Sequence, residues 1–180
     1  MIFVFLAPGF EESEAICPID VLKRAELDVV TVSITDDREV VGAHGITVRA
    51  DVTLSQLPDC HPEAIVLPGG MPGTKNLDAC EELKKRIRQA DMAGDVLLCA
   101  ICAAPMILGK MGLLEGKKAT CYPGFEQYLE GAIVTGRVRT DGKVITACGM
   151  GAAIEFGLAI VEELKGKNTA EKIKEAILAR

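Results

Sequence analysis

Short buried-strand runs, separated by stretches of helical spacing, are the feature that most constrains how this chain folds. The clearest runs are Ile2–Leu6, 29–34, Ala64–Leu67 and 96–101. Strands without polar alternation are buried on both faces, which is typical of parallel sheets covered by helices. With 180 residues, a length that suits one domain, we expect a single α/β domain over 1–180.

The intervening segments complete this prediction. Helices are expected at 12–25, 77–92, 103–111, 149–164 and 169–179, the last with Thr169 as its N-cap. A small β-hairpin arm is expected over 39–50, turning at 42–45, and short strands at 119–121, 132–135, 137–140 and Val144–Ala147. An Asp141-Gly142 turn is expected to join the last two strands.

Charge and cysteine content exclude several classes of protein. Twenty basic against 26 acidic residues give a net charge of -6, and no basic stripe is present, so nucleic acid is not an expected partner. The apolar runs are far shorter than the roughly 20 residues of a membrane helix, and the first residues do not resemble a signal peptide. The seven cysteines are odd in number, which favours reduced thiols in a cytoplasmic protein.

Three loops are expected to meet at one edge of the sheet. One loop follows Leu6, the second follows Leu67, and the third begins at Cys102. Ligands of open α/β sheets bind at the carboxyl ends of the strands. The sequence therefore predicts a functional site where these loops converge.

Cys102 lies where a predicted strand ends and a helix begins. Ala100 and Ala104 permit a sharp turn, and Pro105 fits the first helical turn. A helix N-terminus lowers a thiol pKa and offers free N–H groups to an oxyanion. Cys102 is thus either a nucleophile or a small buried hydrophobe.

Cys99 and Cys102 also form a C-x-x-C pair. We disfavour a dithiol site, because Cys99 falls inside the strand and is expected to point away from Cys102. No second cysteine pair has zinc-ligand spacing, so no metal is expected.

The residues after the first strand are acidic, with Glu11, Glu12 and Glu14 at the start of a helix. Acids there complement the helix dipole, which suffices to explain two of the three. A carboxylic acid buried beside a thiol is an alternative, because it would act as a general acid or base.

The Gly-rich segment 68–73 lacks the lysine of a P-loop. It is either a tight turn or a close backbone approach in which a Gly70 N–H faces a reacting oxygen. Both histidines, His44 and His61, precede Cys102. A Cys-His protease or amidotransferase is therefore unsupported, and no G-x-S-x-G indicates a serine hydrolase.

Four motifs, in order, resemble the ThiJ/PfpI family, in particular the subfamily of the Parkinson-associated protein deglycase and the YajL-like proteins. They are EESE with PIDVLKRA, VLPGG, AICA and EFGLAIV, and the resemblance covers nearly the whole chain. It implies a flavodoxin-like three-layer sandwich, a homodimer and no cofactor.

The resemblance also implies roles for particular residues. Cys102 matches the reactive, oxidation-sensitive nucleophile, and Glu14 matches the acid that hydrogen-bonds it. The other matched positions are Gly70 and Ala103 as oxyanion N–H donors, Gly69 beside them, Arg24 near the site mouth, and His44 where relatives have an arginine from the dimer partner. Tyr122 replaces a histidine found in some members, which weakens a Cys-His proton shuttle, and Ala103 replaces the histidine of the protease-like branch.

The implied activity is a cysteine-dependent, cofactor-free glyoxalase or deglycase acting on a small-molecule aldehyde, a glycated protein or a glycated metabolite. The alternative is a redox-sensing stress protein or chaperone acting through oxidation of Cys102. A role in thiazole-phosphate biosynthesis is suggested by the family name alone.

Overall fold

A computed structural model of the chain describes residues 1–58 and 60–179. Its strands are β1 Ile2–Leu6, β2 Val29–Ser33, β3 Glu39–Val41, β4 Thr47–Arg49, β5 Val52–Thr53, β6 Ala64–Leu67, β7 Leu97–Ile101, β8 Lys118–Ala119, β9 Ile133–Val134, β10 Val138–Asp141 and β11 Val144–Ala147. Its helices are α1 Glu12–Arg24, α2 Gly73–Ala79, α3 Glu81–Ala93, α4 Pro105–Lys110, α5 Ala153–Lys165 and α6 Lys167–Ala176.

The central sheet has the order β10-β11-β7-β6-β1-β2-β5 in the described residues. All its strand pairs are parallel except β10 with β11. A two-residue loop at 142–143 joins those two strands, one residue beyond the predicted Asp141-Gly142 turn, because Asp141 still pairs with Val144. The predicted α/β fold with a mostly parallel sheet is thereby confirmed. The parallel strands β1, β6 and β7 are entirely buried, which explains their unbroken apolar sequence.

Each face of the sheet carries its own hydrophobic core. The α1/α5 core joins sheet residues to Leu22 of α1, Phe156 of α5 and Ile173 of α6. The α3/α4 core joins the opposite face to Ile87 of α3 and Ile107 of α4. The three-layer arrangement places the helix starts and strand ends of both layers at one edge of the sheet.

The hairpin arm is present as β3 and β4, which pair antiparallel with Val40 opposite Val48. It is fastened to the loop after β1 by two backbone hydrogen bonds, Gly9 N–H to Val41 O at 2.8 Å and Ala43 N–H to Phe10 O at 2.7 Å. The arm therefore lies beside the start of α1.

Several predicted boundaries were wrong. The helix expected at 77–92 is two helices, since Cys80 is extended, with φ -82° and ψ 98°. The final helix begins at Lys167 after Gly166, and Thr169 lies inside it, where its hydroxyl donates to Lys165 O at 3.0 Å. Within the described part of the chain, none of the helices has the length and apolar content needed to cross a bilayer.

Candidate active site

Cys102 occupies a sharp, strained turn between β7 and α4. Its φ is 64°, a left-handed conformation that is uncommon outside glycine and costs about 1–3 kcal/mol. Two backbone hydrogen bonds hold it, from Cys102 N–H to Ala147 O and from Tyr122 N–H to Cys102 O, each 2.8 Å. Pro105 then opens the helix, so the thiol stands at the carboxyl end of β7.

Glu14 reaches this thiol from the first turn of α1. Its side chain is 1% exposed, and Gly69 N–H donates to Oε2 at 3.0 Å. Met150 N–H also donates to the carboxyl group, and the Cys102 thiol is hydrogen-bonded to it. Burial raises the pKa of Glu14 to about 7, because these hydrogen bonds only partly offset desolvation and the nearby charge of Glu11 adds to it.

The loop after β6 approaches so closely that only glycine fits. A Cβ placed on Gly69 would lie 2.6 Å from the Cβ of Cys102 and would also overlap the Glu14 carboxyl group. Gly70 has φ 92° and would meet Gly9 O at 2.7 Å. The N–H groups of Gly70 and Ala103 both hydrogen-bond the Cys102 sulfur. Both N–H groups therefore lie near the Cys102 sulfur, and their role as oxyanion donors stays a prediction.

The helix N-terminus does not lower the thiol pKa as expected from the sequence. Burial raises the pKa of Cys102 to about 12, and the charge of Glu14 and its hydrogen bond to the thiol raise it further, against the two N–H groups. Desolvation outweighs the dipole of a six-residue helix. A proton on Glu14 removes the repelling charge, so thiolate formation is coupled to protonation of that carboxyl group.

Cys99 was expected to point away from Cys102. Instead both pack against the α1/α5 core, because the left-handed φ at Cys102 ends the alternation of the strand. Cys99 is 1% exposed, and burial raises its pKa well above the usual range. Cys99 is therefore a core residue that lies beneath the turn at Cys102.

The peripheral residues differ in how near they come to this pair. The half-exposed ring of Tyr122 lies 3.3 Å from where a Cβ of Gly149 would be, beside the site. His44 Nδ1 instead bonds Glu12 Oε2 at 2.9 Å. Arg24 pairs with Asp20 at 2.6 Å, about 15 Å along α1 from Glu14. Within one chain, His44 bonds a different glutamate, and Arg24 stands away from the site.

Glu11, Glu12 and His44 place their ligand atoms within 4.8 Å of one another. These atoms already have structural partners. Glu12 Oε1 accepts the N–H groups of His44 and Ile46, and Glu11 Oε2 accepts Glu14 N–H at 2.6 Å as the N-cap of α1. The group fastens the hairpin arm to α1.

Two residues near the site were missed in the sequence. Met150 donates to Glu14, and Cys148 follows β11, the neighbour of β7. The Gly149-Met150-Gly151 segment before α5 was the sequence signal that could have identified Met150. The position of Cys148 depends on strand order, which its own sequence does not show.

A nucleophile-type cysteine at a strand-to-helix turn, with a buried glutamate beside it on a flavodoxin-like sandwich, defines a class of α/β proteins. This chain belongs to the DJ-1/PfpI family, whose family model matches residues 1–163. The resemblance seen in the sequence is thereby confirmed.

Named relatives agree with this assignment. The chain is 39% identical to Protein DJ-1 homolog B of Arabidopsis thaliana, with 99% of this chain and 41% of that protein covered. It is 33% identical to Glutathione-independent glyoxalase DJR-1.2 of Caenorhabditis elegans, with 94% and 91% covered. The chain spans less than half the length of the two Arabidopsis relatives, 41% and 46%.

Solved structures match the whole fold. The oxidized DJ-1 of Toxoplasma gondii superposes with a TM-score of 0.94 at 36% identity, covering 98% of this chain and 97% of that one. Drosophila melanogaster DJ-1beta also gives 0.94, at 34% identity with 99% and 97% covered. The flavodoxin-like sandwich predicted from the resemblance is confirmed.

Proposed function

We propose that this protein is a cysteine-dependent, cofactor-free glyoxalase that acts on 2-oxoaldehydes or on early glycation adducts. The observation that carries the proposal is the buried Glu14 carboxyl group hydrogen-bonded to the Cys102 thiol. A relative named as a glutathione-independent glyoxalase supports it.

The reaction begins when the Cys102 thiol passes its proton to the Glu14 carboxylate and the sulfur attacks the aldehyde carbon, after which Glu14 delivers that proton to the aldehyde oxygen. The product is a hemithioacetal. Glu14 as carboxylate then removes the proton from that carbon, giving an enediol, and returns it to the neighbouring carbon. The resulting thioester is hydrolysed by water, which frees the 2-hydroxy acid and the thiol. These reaction steps together involve no net oxidation or reduction, so no cofactor is needed.

A pKa of about 7 suits Glu14 to both halves of this proton transfer, because a general acid–base works best with a pKa near the operating pH. The N–H groups of Gly70 and Ala103, which lower the pKa of the Cys102 thiol, would stabilise the oxyanion on the adjacent carbon. Donors of this kind typically contribute ~2.7–4 kcal/mol each to the transition state.

Lactate formation from methylglyoxal in an amine-free buffer tests the proposal. Cys102→Ser should abolish the product, whereas Cys60→Ser, which changes an exposed thiol outside the site, should leave the rate unchanged. Full activity in Cys102→Ser would refute the mechanism. Activity on glycated amines but not on free methylglyoxal would restrict the function to deglycation.

A second candidate is redox sensing through oxidation of Cys102. The half-buried thiol is beside a proton donor and two N–H groups, which would stabilise a sulfenic or sulfinic acid. Peptide mapping after limiting peroxide should show Cys102 consumed before the other six thiols. Indiscriminate oxidation would remove the support for this function.

We also propose a homodimer in the cytoplasm, as the family resemblance implies. Light scattering on the purified chain measures the assembly, and a monomeric mass at working concentrations would contradict it.

A further inference from the structure

Two of the seven cysteines end neighbouring strands of the central sheet. Cys102 follows β7 and Cys148 follows β11, and the parallel register sets Ala147 beside Ile101. Cys102 N–H donates to Ala147 O at 2.8 Å, which is the last hydrogen bond of this strand pair. Cys102 and Cys148 therefore each directly follow a paired residue at the ends of adjacent strands.

This placement suits a disulfide. Neighbouring strands lie about 4.7–4.9 Å apart, and disulfides join residues whose Cα atoms are roughly 4.4–6.8 Å apart. Both side chains are half-buried and both pack against the α1/α5 core, so they lie on the same side of the sheet.

The other thiols close to this edge are less suited. Cys121 precedes Tyr122, whose N–H donates to Cys102 O, but its side chain belongs to the α3/α4 core on the opposite face. Cys99 is enclosed in the α1/α5 core. Cys148 alone among these three is half-buried.

The surroundings of Cys148 favour its reaction. It lines an open groove together with Tyr122, Arg137 and Met150, which gives small reductants a path to it. Cys148 N–H donates to Arg137 O at 2.8 Å, and the Arg137 guanidinium, fixed by Glu155 at 3.1 Å, lines the same groove. A neighbouring cation stabilises a thiolate as it attacks.

We propose that Cys148 is the resolving cysteine of this site and forms a reversible disulfide with Cys102. The oxidant is a hydroperoxide. Cys102 sulfur attacks its terminal oxygen, the O–O bond breaks, and Cys102 becomes a sulfenic acid as the alcohol or water departs. Cys148 sulfur then attacks Cys102 sulfur, the S–S bond forms, the S–O bond breaks, and water leaves with the Cys148 proton. The two thiols lose two electrons to the hydroperoxide.

The inference rests on the proposed function in one respect, that Cys102 is the reactive nucleophile. Its consequence is regulatory. The disulfide blocks the nucleophile during oxidant exposure, and a thiol reductant restores it, whereas without Cys148 the sulfenic acid would proceed to sulfinic acid, which thiols do not reduce.

The test treats the reduced wild type, Cys148→Ser and Cys121→Ser with equimolar hydrogen peroxide, followed by alkylation and mass spectrometry. Wild type and Cys121→Ser should lose two hydrogen atoms and yield a cross-linked peptide joining Cys102 to Cys148. Cys148→Ser should instead gain oxygen at Cys102. Oxygen addition in the wild type equal to that in Cys148→Ser, or a cross-link to Cys121, would overturn the proposal.

Lactate assays on the same proteins separate this inference from the proposed function. Reduced Cys148→Ser should match the wild-type rate. After excess hydrogen peroxide, which carries an unprotected sulfenic acid on to sulfinic acid, the wild type should recover fully with dithiothreitol while Cys148→Ser does not. If no reduced sample makes lactate but the cross-link forms, the glyoxalase proposal fails and the resolving role stands. If Cys148→Ser is misfolded by circular dichroism, Cys148→Ala replaces it. Resistance of Cys102 to peroxide in every folded variant contradicts the resolving role.

Discussion

Glu12 and Glu14 lie two residues apart on the same helical turn, and both are buried, yet their pKa values move in opposite directions. Burial raises both. On the side of the hairpin arm, hydrogen bonds from the His44 side chain and from the N–H groups of His44 and Ile46 outweigh burial, and the pKa of Glu12 falls to about 2. On the side of Cys102, the donors are fewer and weaker, and the pKa of Glu14 rises to about 7.

The difference shows that burial alone does not make an acid chemically useful. A buried carboxylate that accepts enough hydrogen bonds stays ionised and serves as a structural anchor. Glu12 holds the hairpin arm, whereas Glu14, with a thiol as one of its partners, can gain or lose a proton near neutral pH. One side of this helical turn thus has a structural role, and the other side has a chemical role.

The largest expected effect is on activity. Glu14→Gln keeps an oxygen to accept the Gly69 N–H but cannot transfer a proton, so the lactate rate should fall by about 10²–10⁴-fold. The thiol should still be alkylated by iodoacetamide. Glu12→Gln is the matched control, and its rate should stay within a few fold of wild type. Equal losses of activity in the two variants would show that Glu12 and Glu14 do not have separate structural and chemical roles.

The pH dependence of stability should separate the two acids next. Glu14 binds its proton more tightly when folded, so its contribution to stability is present below pH 4.5 and is lost as the pH rises to about 7. At roughly 1.4 kcal/mol for each unit by which the pKa is shifted, that contribution is about 3 kcal/mol. Glu12 behaves oppositely, since its contribution is present above pH 4.5 and is lost as the pH falls toward about 2.

Urea unfolding of wild type, Glu14→Gln and Glu12→Gln across this pH range measures both slopes. Glu14→Gln should remove the decline above pH 4.5, and Glu12→Gln should remove the loss on the acid side. Parallel profiles for the two variants would show that their environments do not differ.

Packing around Glu14 gives a third, smaller effect. Gly69→Ala places a methyl group 2.6 Å from the Cβ of Cys102, and overpacking of this kind costs about 1–3 kcal/mol. Gly151→Ala is the control, because a Cβ there meets nothing within 4 Å. Thermal unfolding and lactate assays should show loss in Gly69→Ala only. A fully active, stable Gly69→Ala would mean that the loop shifts freely.

The sequence predicted the parts of this arrangement that depend on local patterns. Unbroken apolar runs located β1, β6 and β7, and small residues around Cys102 with Pro105 behind it indicated the turn. Local patterns did not distinguish Glu12 from Glu14, because three acids in one helical start look alike, and only the family resemblance singled out Glu14. Their partners lie 32 residues away at His44 and 55 residues away at Gly69.

Other errors have the same origin. The rule that a helix start lowers a thiol pKa is local, and at Cys102 it is outweighed by burial, which depends on the whole fold. Cys148 entered the site through the order of β7 and β11, which no single segment encodes.

The smallest expected effect concerns the exposed end of the Glu12 anchor. His44→Ala removes the Nδ1 partner of Glu12 but leaves the N–H groups of residues 44 and 46 in place, so the loss of stability should be smaller than in Glu12→Gln. Hydrogen bonding to Glu12, and then its charge, raises the pKa of His44 above 6.5. The histidine's contribution is therefore present below pH 6.5 and disappears as the pH rises through that raised pKa. Melting temperatures of wild type and His44→Ala should differ at pH 6 and converge in alkaline buffer. A difference that persists there would assign the anchor to packing of the imidazole rather than to its charge.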